Sequence, residues 1–185
     1  MEFTFDPNAR LDQFKQKISY DEAIRGEDRD GLVEIDFRKL ETPEFIKEWP
    51  DSNDWSFSRD DYLGEHYYYR WGIKGTGSSA VITAKVCDDY ECAQRWFFAK
   101  AKSSSMWELP WVACSNKVGT ACAETQNKEL RFFVYKNIAI DIETRHNDAF
   151  SDQDDFGEKV AEWLFAALKA APLKPFPAAD SSRKP

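Results

Sequence analysis

The sequence is poor in histidine: His66 and His146 are the only two in 185 residues. Metal and acid–base chemistry therefore have few places to reside. Long apolar runs are missing too. None approaches the ~20 residues that a membrane-spanning helix needs, and no signal-peptide core opens the chain. Neither a Gly-x-Ser-x-Gly nucleophile elbow nor a His-Glu-x-x-His helix occurs. The Gly75-Thr76-Gly77 stretch runs into a strand pattern, and it lacks the third glycine and the lysine of a phosphate loop. Residues 152–157 have the aspartates of a calcium loop. Phe156 and Trp163, however, fall where an oxygen ligand and the bidentate glutamate belong. No cofactor and no metal is expected.

A basic surplus is also absent. The first 62 residues contain 17 Asp and Glu against 9 Lys and Arg, while the remainder has 16 of each. The whole excess of negative charge, −8, thus lies in the first third of the chain. Such a surface repels phosphate backbones, so no nucleic-acid partner is expected. It suits a basic partner, or simply a solvated face.

What the chain does have is four cysteines close together: Cys87, Cys92, Cys114 and Cys122. Their spacings match no common zinc pattern. An even number in one short window favours two disulfides, and with them an extracytoplasmic compartment, secreted or periplasmic. Three pairings are possible. The local pairs Cys87–Cys92 and Cys114–Cys122 are favoured, because a strand end and the next helical turn can lie close. Reduced, buried cysteines in a cytosolic protein are the alternative.

The stretch around Cys87 organises the rest. Residues 80–86 are nearly continuously apolar and rich in β-branched side chains, the pattern of a strand covered on both faces. Asp88 or Asp89 can cap a following helix, on which Tyr90, Ala93, Phe97 and Ala101 recur at helical spacing. Upstream, Tyr67, Tyr69, Trp71 and Ile73 alternate along a strand that forms a hairpin with residues 80–86. Downstream, residues 130–135 and 138–143 flank Lys136-Asn137 as a second hairpin, with Asn137 supplying the left-handed conformation of the turn. There Ile138, Ile140 and Ile142 face the core, while Asp141 and Glu143 face water or a polar site.

A last helix from about Gly157 to Ala171 has an apolar stripe that includes Val160, Leu164 and Leu168, and Pro172 stops it. The first 62 residues read as short helices and loops, with 51–61 a polar connection. Residues 32–37 read as a short strand. The fold class expected is α+β: an antiparallel sheet of two hairpins with helices on one face, preceded by an irregular acidic helical segment. The expected divisions are an acidic segment packing on the core (1–62), the core (63–171) and a flexible tail (172–185).

Candidate ligand-binding residues are the aromatic strand face, Tyr67, Tyr69 and Trp71, together with Trp107 and Trp111 of the stretch 106–112, which either lines a pocket or, the favoured reading, forms a loop lid over the core. His66 and His146 join them, since the pairing of strands 66–73 and 138–145 would bring the histidines together with carboxylates. These features suit a non-catalytic binding or interaction protein outside the cytoplasm, of an inhibitor or immunity kind. It would use the aromatic face or the acidic segment against a protein or small-molecule partner. The alternative is a small hydrolase or isomerase with a pocket between sheet and helices.

Overall fold

The β-branched run after Ser79 forms strand β4 (Ser79–Val86), and its flanks find partners on both sides. A computed structural model describes residues 7–27, 29–47, 56–62, 66–74, 79–102, 111–145 and 156–176. In it β4 pairs antiparallel with β3 (His66–Lys74) on one side and with β8 (Ile138–Arg145) on the other. Strands β2 (Ser56–Tyr62), β5 (Trp111–Ala113), β6 (Ala121–Thr125) and β7 (Leu130–Tyr135) complete a seven-stranded sheet. Its order is β2-β3-β4-β8-β7-β6-β5, with every neighbouring pair antiparallel. Helix α4 (Tyr90–Lys102) leaves the centre of the sheet after β4, and the chain then walks back from the far edge through β5, β6 and β7 to β8.

The α+β class and both expected hairpins are present. The helices, however, divide between two faces of the sheet. Alternation along β7 and β8 separates Phe133, Ile138, Ile140 and Ile142 from Phe132, Val134 and Ala139. The first set packs with Ile82 and Ala84 against helix α5 (Phe156–Ala170), through Val160, Leu164 and Leu168. Val33, Phe37 and Ile46, from the segment before β2, close the same core. The second set packs against Ala93 and Phe97 of α4, and against Phe14 and Ile18 of the region formed by helices α1 (Pro7–Lys17) and α2 (Tyr20–Arg25). A nearly all-apolar strand needs cover on both sides, and α4 and α5 supply one side each.

Several expectations change. Ser56–Tyr62 is an edge strand of the sheet rather than a connection. Of residues 32–37 only β1 (Leu32–Val33) is extended, and Phe37–Lys39 is a single 3₁₀ turn. The tail begins in an ordered way. Its strand β9 (Leu173–Lys174) pairs with β1, and Phe176 packs on Tyr90 with ring centroids 5.3 Å apart. A short helix α3 (Glu44–Lys47) follows the Thr42-Pro43 start.

The turn between β7 and β8 departs from its expected chemistry. Lys136, not Asn137, takes the left-handed conformation, at φ 53°. Asn137 spends its amide elsewhere. Its Oδ1 accepts from Val33 N at 2.7 Å, while its Nδ2 donates to Val33 O at 3.3 Å and to Cys87 O at 2.9 Å. Its main-chain O accepts from Cys87 N at 2.9 Å. A fully buried side chain thus acts as a short strand between β1 and the end of β4.

Both disulfides have the local pairing expected: Cys87–Cys92 with Cα atoms 5.8 Å apart, and Cys114–Cys122 at 5.5 Å. The first ties the end of β4 to the opening turn of α4, where Asp89 Oδ1 caps Cys92 N. The second closes the β5–β6 connection. Inside that loop Gly119 stands at φ 69°, and a Cβ there would lie 2.6 Å from Val134 O, so only glycine fits.

Replacing Asn137 with alanine orphans Val33 N and two carbonyls inside the protein. The expected loss is about 3 kcal/mol of unfolding free energy. Urea denaturation measures it, and a loss under about 1 kcal/mol would show that the amide is not the junction described.

Candidate functional site

Charged side chains are buried at three places. On the α4 face, Asp141 of β8 meets Lys100 of α4 in an ion pair. Thr83 is the register partner of Asp141 on β4, and Phe132 its partner on β7. Nearby Lys85 is also buried, with its Nζ 4.0 Å from the centroid of the Trp96 ring. Asp141 Oδ1 is buried and accepts no hydrogen bond. Burial pushes the carboxyl of Asp141 up and the charge of Glu143 adds to this, with Lys100 opposing both.

On the opposite face, Arg131 and Glu124 form a cross-strand pair, both buried. Glu158, in the first turn of α5, lies 3.8 Å from the same guanidinium, and Asn116 Oδ1 accepts from Arg131 Nη1 at 3.2 Å. Asn116 Nδ2 in turn donates to Glu162 of α5 at 3.0 Å. This network joins the Cys114–Cys122 loop, the sheet and α5. Its hydrogen-bonded guanidinium suits a structural brace.

The third place is the β7–β8 turn. Lys136 pairs with Asp30, and the ammonium holds that carboxyl below its usual range. Glu27 Oε1 accepts from Thr120 Oγ1 at 2.6 Å and from Lys136 N at 3.1 Å, while Tyr90 Oη donates to Gly31 O at 2.6 Å. These bonds clasp the acidic segment to the sheet.

Two open grooves lie outside this framework. One, of about 410 Å³, runs along α1 and α2 and is lined by Asp12, Lys15, Tyr20, Asp21, Glu22 and Arg25 among others. The other, of about 460 Å³, separates α1 and α2 from the Cys114–Cys122 loop. Asp12, Asp21 and Glu22 are exposed. The two cations of the first groove are already engaged: Arg25 Nε donates to Asp21 O at 3.0 Å, and Lys15 Nζ sits 5.1 Å over the Phe98 ring. Ser19, the link between the helices, is left-handed at φ 49°. It turns the chain so that Tyr20 enters the core against Phe97 and Phe98. Tyr20 Oη is buried without a hydrogen-bond partner. Burial raises the pKa of this phenol well above its ordinary value, with Glu27 and Asp21 adding and Arg29 opposing.

The residues read from sequence as a ligand site do not form one cluster. Trp111 is a core residue, 5 % exposed, with its ring centroid 4.8 Å from that of Phe132 and 6.2 Å from that of Phe14. Tyr67, Tyr69 and Trp71 lie on β3, whose register against β4 is described while their side chains are not. Trp107 and His146 lie outside the described residues. The pairing that was to join the histidines is not formed, because β4 stands between β3 and β8. His66 opens β3 at the Val86–Ile138 end of the sheet, whereas β8 finishes at Arg145, opposite Ser79. About eight residues of strand, roughly 26 Å, separate those ends.

The buried pairs went unread as pairs, except that Asp141 and Glu143 were placed on a wet or polar face. Arg131 set between Leu130 and Phe132 is the signal that could have found the brace. Among the described residues no group of three His, Cys, Asp or Glu could hold a metal. No described helix is long and apolar enough to cross a membrane. No protein-family model, curated protein or solved structure matches the chain.

The orphaned Oη makes Tyr20→Phe nearly neutral or stabilising at pH 7, within about 0.5 kcal/mol of wild type. At alkaline pH the two diverge. An unfolded tyrosine ionises near pH 10, while the buried one keeps its proton, so wild-type stability falls as pH rises above that value. The phenylalanine variant escapes this loss. Thermal melts from pH 7 to 11 read both effects, and a neutral-pH loss above about 1 kcal/mol would show that Oη has a partner.

Proposed function

We propose that this is an extracytoplasmic, non-catalytic binding or interaction protein of an inhibitor or immunity kind, which offers an acidic N-terminal surface to a basic protein. One observation supports it most: the α1–α2 groove is rimmed by exposed Asp12, Asp21 and Glu22, with its two cations drawn off to a carbonyl and a ring. The surplus negative charge of the chain lies in the segment that follows these helices, where residues 26–62 hold 12 acids against 5 bases. Complementary charge accelerates encounter and selects partners more than it deepens affinity. The aromatic alternative loses Trp111 to the core. The hydrolase or isomerase reading needs a pocket between sheet and helices. The two grooves described lie outside, on α1 and α2 and beside the disulfide loop.

Placement outside the cytoplasm is supported by the two local disulfides, with no free cysteine among the four. Alkylation of protein isolated from its native source without reductant is expected to label none of them. Four labelled thiols would remove this placement.

The docking surface has its own test. A lysine-rich peptide titrated against the protein is expected to bind more weakly as salt rises. Neutralising Asp12, Asp21 and Glu22 together to Asn, Asn and Gln weakens binding about tenfold. Neutralising exposed Asp88, Glu91 and Glu129 in the same way leaves it nearly unchanged. Equal losses from both sets, or indifference to salt, would discard the groove.

A further inference from the structure

Among the described residues three lysine–carboxylate pairs differ in how far the carboxyl is removed from water. The side chain of Glu44, paired with Lys47, is 71 % exposed, and that of Asp30, paired with Lys136, is 47 % exposed. Asp141, paired with Lys100, keeps 8 %. Its Oδ1 accepts no hydrogen bond, although a buried carboxylate ordinarily recruits donors to every lone pair it can. Lys100 arrives from α4 one turn beyond Trp96, and Phe132 flanks the carboxyl on the sheet. An amine whose side chain is 28 % exposed thus touches a carboxyl that is itself buried, with Trp96 one helical turn before it and Phe132 across the strand pair.

We infer that the Lys100 amine and the Asp141 carboxyl become joined by an intramolecular isopeptide bond. Burial of the Asp141 carboxyl disfavours its charged form, so at that end of the contact the proton is drawn to oxygen. That transfer yields a nucleophilic amine facing a carboxylic acid, the two reactants an amide needs. The burial-raised pKa of Asp141 agrees with it. The Nζ lone pair adds to Cγ. One nitrogen proton passes to Glu143, two residues along β8 on the same side of the strand, whose charge acts on Asp141. The proton returns to the departing hydroxyl, the Cγ–Oδ bond breaks, and water leaves. One C–N bond forms and one C–O bond breaks, with no change of oxidation state and no co-reactant. The other buried pair cannot follow, because the partner of Glu124 is a guanidinium that does not give up its proton. The bond would fasten α4 to β8 covalently, beside the disulfide that fastens α4 to the end of β4. It rests on burial and contact alone, independently of the proposed docking surface.

Intact mass of the full-length protein, denatured and reduced, provides the test. The expected mass is lower than that of the sequence by one water. Tryptic digestion then yields a branched species in which residues 96–102, uncut at Lys100, are joined to residues 137–145. Separate peptides 96–100 and 137–145, together with the full sequence mass, would overturn the inference. Lys100→Arg restores the lost water, and the wild-type digest decides the question even where that variant folds poorly. Glu143→Gln is expected to slow the loss of water about a hundredfold in freshly refolded protein. An unchanged rate would remove Glu143 from the proton path.

Discussion

Strand β4 pairs with β8 at eight registered positions, from Ser79↔Arg145 to Val86↔Ile138, and the rest of the molecule follows from that long-range contact. The two strands belong to different hairpins, more than fifty residues apart in sequence. Only their pairing makes one sheet of two ribbons, and it sets Ile82 beside Ile142 and Ala84 beside Ile140. The apolar width so created is what α5 covers. Closing so large a loop costs entropy, and the molecule gathers local fastenings at one end of the pairing. Cys87 bonds to Cys92 there, and Asn137 bonds to Cys87 and Val33 in the same place. A strand, a helix start, a turn and the N-terminal segment therefore meet at a single buried point.

Much of this was legible in the sequence, for identifiable reasons. Lys136-Asn137 between two apolar runs defines a two-residue hairpin with little ambiguity. Cysteines five and eight residues apart across a strand–helix junction and a turn are close in any fold that contains those elements. Helices α4 and α5 declare themselves by their stripes. The illegible elements are edges. β2 contains Ser58, Arg59, Asp60 and Asp61, because an exposed edge favours charge to deter pairing with other chains. That composition reads as a loop. β5 and β9 span three and two residues, too few for any period to register. The division of the helices between two faces was implicit in the continuous apolar run of β4.

The candidate site was less legible, because it depends on pairs rather than on residues. Asp141 looks like a solvent-facing position in an alternating strand until α4 is laid over it. Which helix covers which face is a tertiary fact. Histidine is rare enough to attract a reading of function, yet the strand pairing on which the histidine convergence depended is not formed, since the intervening β4 makes β3 and β8 parallel and puts the start of β3 and the finish of β8 at opposite ends of the sheet. Trp111 shows how one aromatic admits two readings. As a ligand-site residue it would line a pocket, but as part of a lid it lies over the core, and a ring of that size on a short edge strand finds its best neighbours in Phe14 and Phe132.

Where function can reside is constrained by how the described strand faces are used. Along β4, β7 and β8 one face is covered by α5 and the segment around Phe37, the other by α4, α1 and α2. The N-terminal helices do two jobs on opposite sides. Phe14, Ile18 and Tyr20 enter the core, while Asp12, Asp21 and Glu22 remain in water. The clasp of Glu27, Asp30, Lys136 and Tyr90 follows directly after α2 and fixes its end to the sheet. A charged surface anchored in this way is preorganised, so a partner need not meet the ordering entropy of a loose acidic segment.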